Sequence, residues 1–317
     1  MNIHSGKNVL RKIHVSGGIN VGVVLAIVLV ALAVWLSLGG WQQIQGWLHI
    51  APKIGFANYG NDRLSLPDFA RVEHDYPLTP DELARLTPEN LKSFKQEEVD
   101  QIYARLTSGP IPDGAYDGGL FFPKGASDKR RVAEIIGGLP GLAANLQGAK
   151  VELLGKTLWK GKVFYRDDRL LRNRIEDLAA LKPIIDGDLT TIPKITVHGK
   201  DQWLMFPARL YCGQSLLDSR RESVIIDYAF TDEIEGYRER PDYLAGRNGF
   251  QVRDEIRMVR PGFYLGRAYL GKIFLLNFTL YNENVAGQKI VASDIAKSAP
   301  SADCWGGTQQ RALTASR

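Results

Sequence analysis

The sequence predicts a mainly β chain with N-terminal helices, in which an antiparallel β-barrel stands behind one transmembrane helix. Three observations predict it. Residues 13–52 carry no Lys, Arg, Asp or Glu. A capping signal and a helical apolar period run through residues 79–106. From about residue 151 the pattern changes to short β-type runs joined by tight turns. The expected boundaries are a cytoplasmic N-terminus at 1–18, a transmembrane helix at 19–40 and an interfacial segment with linker at 41–78. A helical segment with one strand follows at 79–148, then the barrel at 149–283 and a flexible C-terminal tail at 284–317.

The anchor comes first. Val21 to Leu38 is apolar or small throughout except for Ser37, and about 20 such residues cross a hydrocarbon core of about 30 Å. Trp35, Trp41 and Trp47 lie towards its C-terminal end, where indole rings favour the membrane interface. Lys7, Arg11 and Lys12 precede the span, so the N-terminus is expected in the cytoplasm and the bulk of the chain exported, as in a bacterial inner-membrane protein with a periplasmic domain. A cleaved signal peptide would have an apolar core of about 7–15 residues and an A-x-A-like site. Here the run is longer and Ser37-Leu-Gly-Gly-Trp41 is a poor site, so an uncleaved signal-anchor is expected.

Helices follow. Thr79-Pro-Asp-Glu82 combines an N-cap Thr, Pro at the first helical position and Glu at the third. Leu91, Phe94, Val99, Ile102, Tyr103 and Leu106 recur at helical spacing until Ser108–Gly114 stops them. A further helix is expected from Ser127-Asp128, with Val132, Ile135, Ile136 and Leu139 as its stripe. Strands are expected at Ala115–Phe122, Val151–Leu154, Leu158–Tyr165, Lys194–His198, Trp203–Tyr211, Glu222–Phe230, Phe250–Val259, Phe263–Leu270 and Ile273–Tyr281. Pro261-Gly262 suits a type II turn, and Gly271-Lys272 makes a second tight connection. Eight to ten strands are enough to close a barrel.

Several function classes lose support. The formal net charge is +5 in 317 residues, and no Lys/Arg run is dense enough to track a phosphate backbone, so no nucleic-acid partner is expected. His49, His74 and His198 form no ligand pair, so neither a metal site nor a cofactor is expected. Gly137-Gly-Leu-Pro-Gly141 is no phosphate loop, because Pro140 removes a donor and no Lys-Ser/Thr follows. No nucleophile elbow occurs, and no catalytic residue is assigned. Cys212 and Cys304 stand on the exported side, where a disulfide tying the tail to the strand region is one reading and a buried thiol at Cys212 the other.

Polar residues on apolar strand faces remain. Asp254 alternates with Val252, Ile256 and Met258; Arg267 with Leu265 and Tyr269; Asp227 with Ile225 and Ala229; Asn277 with Ile273 and Leu275. Buried charges must pair or meet a ligand. Three readings stand: a structural Asp254–Arg267 ion pair across the hairpin, a polar cavity end built from Asp227, Asp254, Arg267 and Asn277, or a carboxylate acting as general acid or base. Trp159, followed by Gly161, either plugs the barrel floor or touches a ligand.

Leu158-Trp-Lys-Gly-Lys-Val-Phe164 resembles the aromatic-Gly-Lys-x-Phe segment of the GXWXG/DUF4334-type lipocalin-like proteins. Tyr211-Cys-Gly213, Ile226-Asp-Tyr228 and Leu265-Gly-Arg267 follow in a similar layout, while Thr157 stands at the motif's first Gly position. The resemblance spans scattered pieces of residues 110–281 and implies a lipocalin-like, calycin-type barrel rather than a reaction. The expected function is binding or transfer of a hydrophobic, lipid-like small molecule beside the bilayer. The alternatives are a structural or assembly factor of an envelope protein complex and a carboxylate-dependent enzyme.

Overall fold

The computed structural model describes residues 51–59, 66–121, 158–287 (other than 180 and 186) and 302–307. The expected membrane span at 19–40, the helix from 127–128 and the strand Val151–Leu154 lie outside the described residues. Among the described residues, no helix is long and apolar enough to cross a membrane.

Among the described residues, three α-helices lead into the sheet: α1 (Phe69–Asp75), α2 (Pro80–Arg85) and α3 (Gln96–Arg105). The cap read from the sequence is present, with Thr79 accepting from the Glu82 N–H and the Glu82 carboxylate accepting from the Thr79 N–H at 2.8 Å. Helix α1 lies in the stretch expected as linker. Asp68 caps it by accepting from the Ala70 and Arg71 N–H groups, a local signal that the sequence reading passed over.

The strands are β1 (Gly114–Phe121), β2 (Trp159–Tyr165), β3 (Leu170–Ile175), β4 (Lys194–Val197), β5 (Lys200–Gln214), β6 (Glu222–Asp227), β7 (Val252–Arg260), β8 (Phe263–Leu270) and β9 (Ile273–Tyr281). They pair in the order β3-β2-β1-β9-β8-β7-β6-β5-β4, and a β3–β5 pairing joins the two flanks. Eight antiparallel strands therefore close into a barrel, and β4 stays outside the ring as a hairpin arm on the first residues of β5. This is the expected antiparallel barrel, with β3 as an unexpected member. The 15-residue β5 serves three neighbours: β3 along one edge, β4 and then β6 along the other. It bends at Phe206, whose φ of +49° coincides with the register slip against β3.

Pleating separates two compartments. Tyr264 and Ala268 of β8, Ile256 of β7, and Phe278 and Leu280 of β9 point into the barrel with Phe164, Leu210 and Val224. Val259, Phe263 and Leu265 point outward and are covered by Leu86, Val99, Ile102 and Tyr103 of the helical segment. Strands buried on both sides lose the clean apolar–polar alternation that marks a sheet with one wet face.

One barrel end is filled. Tyr116 packs edge-on against Phe164 and Tyr264, with ring centroids 5.5 and 5.8 Å apart, and the Tyr264 hydroxyl donates to the Pro110 carbonyl. Cys212 and Cys304 are joined by a disulfide with a Cα–Cα separation of 5.3 Å. Within the segment expected as a flexible tail, residues 302–307 are held by that bond, by the Ile111 N–H donating to Asp303, and by Trp305 exchanging hydrogen bonds with Glu222.

Candidate functional site

The antiparallel order brings the C-terminal ends of β1, β3, β6 and β8 to the same barrel end as the N-terminal ends of β2, β7 and β9. Here the inner face is not filled. Among the described residues, Trp159, Phe206, Val252, Leu276 and Phe278, with Leu120, Ala245 and Ala268, wall a cavity of about 210 Å³ that is open at this end. Glycines make the aromatic walls fit. A Cβ on Gly118 would sit 2.4 Å from the Trp159 ring, and one on Gly266 would sit 2.2 Å from Phe278.

Lys162, Asn173, Tyr228 and Asp254 form the polar side of this cavity. The Lys162 ammonium meets Asn173 Oδ1 at 2.9 Å, the Tyr228 hydroxyl at 2.7 Å and Asp254 Oδ2 at 3.0 Å. Asn173 Oδ1 also accepts from Trp159 Nε1 at 2.9 Å, and its Nδ2 donates to the Tyr228 hydroxyl and the Phe206 carbonyl. The Tyr228 hydroxyl in turn donates to Asp254 Oδ2 at 3.4 Å. The Lys162 Nζ also lies 5.4 Å from the Trp159 and Tyr228 ring centres and 5.6 Å from that of Phe278. Such faces favour a desolvated cation.

Burial works against the charge of Lys162, but Tyr228 and Asp254 beside it prevail and hold its pKa above the ordinary lysine value. Burial also pushes the Asp254 carboxyl up, with Lys162 pulling the other way. The Tyr228 phenol is pushed up to about 12, chiefly by burial. The contacts are those of an ammonium paired with the Asp254 carboxylate at 3.0 Å and hydrogen-bonded to Asn173 and the Tyr228 phenol, so that each amine hydrogen has an acceptor.

The residues singled out from sequence divide between compartments. Trp159 and Asp254 line the cavity, and Trp159 stands at its open end rather than on a floor. Arg267, Asn277 and Asp227 do not, and the polar end expected from all four is corrected accordingly. Arg267 points outward beneath α3, where it pairs with Asp100 and donates to the Tyr269 hydroxyl. Asn277 shares that outer face and donates to Gln96 at 2.8 Å. Asp227 accepts from the half-exposed Tyr211 hydroxyl at 2.9 Å outside the barrel. The reason is register: Asp254 stands opposite Ala268, and Glu255 opposite Arg267, so Asp254 and Arg267 occupy opposite faces and form no ion pair.

Lys162, Asn173 and Tyr228 line the cavity without having stood out in the sequence. Lys162 alternates with Phe164 in β2, the same signal that marked Asp254. Tyr228 is one residue beyond Asp227, and the opposite parity would have chosen it. Asn173 lies in Leu170-Leu-Arg-Asn-Arg-Ile175, whose Arg172 and Arg174 alternate outward from Leu171 and Asn173. Among the described residues, the one grouping of metal-ligand type is Cys212, Glu222 and Cys304, and both of its sulfurs are in the disulfide.

No family model matches this chain, and no curated protein does. A solved structure of a protein from Thermomonospora curvata is similar over 60% of this chain and 89% of that one, at 19% identity and a TM-score of 0.30.

Proposed function

We propose that the barrel binds a small, largely apolar molecule in its open-ended cavity. The observation that carries this reading is the contrast between the two ends. One is packed with Tyr116, Phe164 and Tyr264, while the other leaves about 210 Å³ between aromatic walls and a buried polar cluster. Apolar space with a few convergent polar groups is the usual form of a ligand site. Size narrows the class. A cavity of about 150 Å³ takes benzene, so this one suits a ring compound, a short chain, or the end of a longer lipid-like molecule reaching through the mouth. The uncharged run at 13–52 supports an exported barrel tethered at a bilayer, where apolar molecules concentrate. The carboxylate-dependent catalytic reading draws less support, because Asp254 is engaged by the Lys162 ammonium and the Tyr228 hydroxyl and Asp227 does not line the cavity.

The test is native mass spectrometry of the full chain after mild extraction, beside the variant Leu120→Trp/Leu276→Trp, which fills the cavity from two half-buried wall positions. A small molecule retained by the unmodified chain and lost from the variant is the expected result. Equal retention, or none in either protein, would remove the cavity as the binding site.

A further inference from the structure

The hydrogen-bond capacity left in the cavity selects a ligand class, and this inference rests on the cavity being a binding site. The three hydrogens of Lys162 face Asn173, Tyr228 and Asp254. Both Nδ2 hydrogens of Asn173 are donated, and the one of Trp159 Nε1 goes to Asn173 Oδ1. The Tyr228 hydroxyl accepts from Lys162 and Asn173 and gives its hydrogen to Asp254. Every side-chain donor among the described residues lining the cavity therefore already has an acceptor. Acceptors are different. The ion pair and the Tyr228 bond to Asp254 both fall on Oδ2, and among the described residues no hydrogen bond reaches Oδ1. Asp254 borders the cavity while being only 5% exposed.

We infer that the ligand carries a neutral hydrogen-bond donor, a hydroxyl or N–H on a compact apolar body, which Asp254 Oδ1 accepts. A carboxylate would find no free donor and would meet Asp254 as a like charge. The cavity is thus built against fatty-acid headgroups and for alcohols, phenols or amides of about ring size. A hydrogen bond to a buried carboxylate distinguishes a donor from its methyl isostere by roughly tenfold or more.

The experiment uses the full chain in lipid nanodiscs and three matched probes: 4-methylphenol, 1,4-dimethylbenzene and 4-methylbenzoate. Affinity is read as the difference from Leu120→Trp/Leu276→Trp, which subtracts partition into lipid. 4-Methylphenol should bind roughly tenfold more tightly than each of the others. In Lys162→Met/Asp254→Leu, which exchanges the ion pair for apolar groups, 4-methylphenol should fall to the level of 1,4-dimethylbenzene. Preferential binding of 4-methylbenzoate, or a phenol preference that survives the double substitution, overturns the donor inference while leaving the cavity reading in place. Binding of none of the three overturns the cavity reading itself, and the donor inference with it.

Discussion

Without the ammonium of Lys162, the buried Asp254 carboxylate, 3.0 Å away, would lose its counter-charge. Breaking one side of a buried pair costs about 3–5 kcal/mol, whereas replacing both partners by apolar groups of similar volume is often close to neutral. Lys162→Met should therefore lower unfolding free energy by about 3–5 kcal/mol, and Lys162→Met/Asp254→Leu should recover most of that loss. Urea unfolding of the two variants beside the unmodified chain checks it. A single variant as stable as the parent would mean that the pair carries little electrostatic weight. The same residues show what was readable. An Asp among Val252, Ile256 and Met258 stands out in the sequence, because a charge on an apolar face must find a partner. The partner itself was not readable: Lys162 is 92 positions away, and only the closed ring places β2 across from β7.

At the level of elements, the meander β7–β8–β9 was legible almost to the residue, since Pro261-Gly262 and Gly271-Lys272 announce its turns. Gly262 has a φ of +76° and Gly271 of +60°, as tight turns of this kind require. Strand β3 was not legible, because four polar or charged side chains surround Leu171 in Arg169–Arg174 and the outward pair Arg172 and Arg174 dominates its composition. Arg174 is nevertheless buried, held by Asp117 and the Lys160 carbonyl. Which face of β8 and β9 turns inward was equally hidden, since α3 makes the outer face as apolar as the inner one. The disulfide fixes a further element, residues 302–307, to β5. Its partners are 92 residues apart, and the chain-entropy model assigns about 4–5 kcal/mol to a closed loop of about that length. Cys304→Ser should lower the unfolding free energy by up to that amount, and dithiothreitol should lower the melting temperature of the unmodified chain only. Equal sensitivity of both proteins to the reductant would count against the bond as the source.

The whole molecule buries five of its 12 tyrosines, and its behaviour in alkali should follow from that. Burial holds the Tyr116 and Tyr228 phenols at about 12, and Tyr103, Tyr264 and Tyr269 are also raised. An unfolded tyrosine releases its proton near pH 10. Between about pH 10 and 12 the unfolded chain therefore loses protons that the folded chain keeps, and each such group lowers stability by about 1.4 kcal/mol per pH unit. Stability should be level up to about pH 10 and fall steeply above it, with phenolate absorbance at 295 nm rising together with unfolding. Full titration of all tyrosines near pH 10 in a still-folded chain would contradict this burial. The barrel's seam bears on synthesis as well as stability. Strand β1 is completed only by β9, and the contact between Gly119 and Thr279 spans 160 positions. The ribosome delivers β1, and the helices that later cover β7 to β9, long before the last strand exists. Throughout that interval one edge of β1 has no native partner, and the apolar side of α3 has only part of its cover until Val259, Phe263 and Leu265 of β7 and β8 are made, which is a situation that invites aggregation. Shielding of the nascent chain until Tyr281 emerges is therefore a demand set by the order of the strands, separate from the stability of the finished barrel.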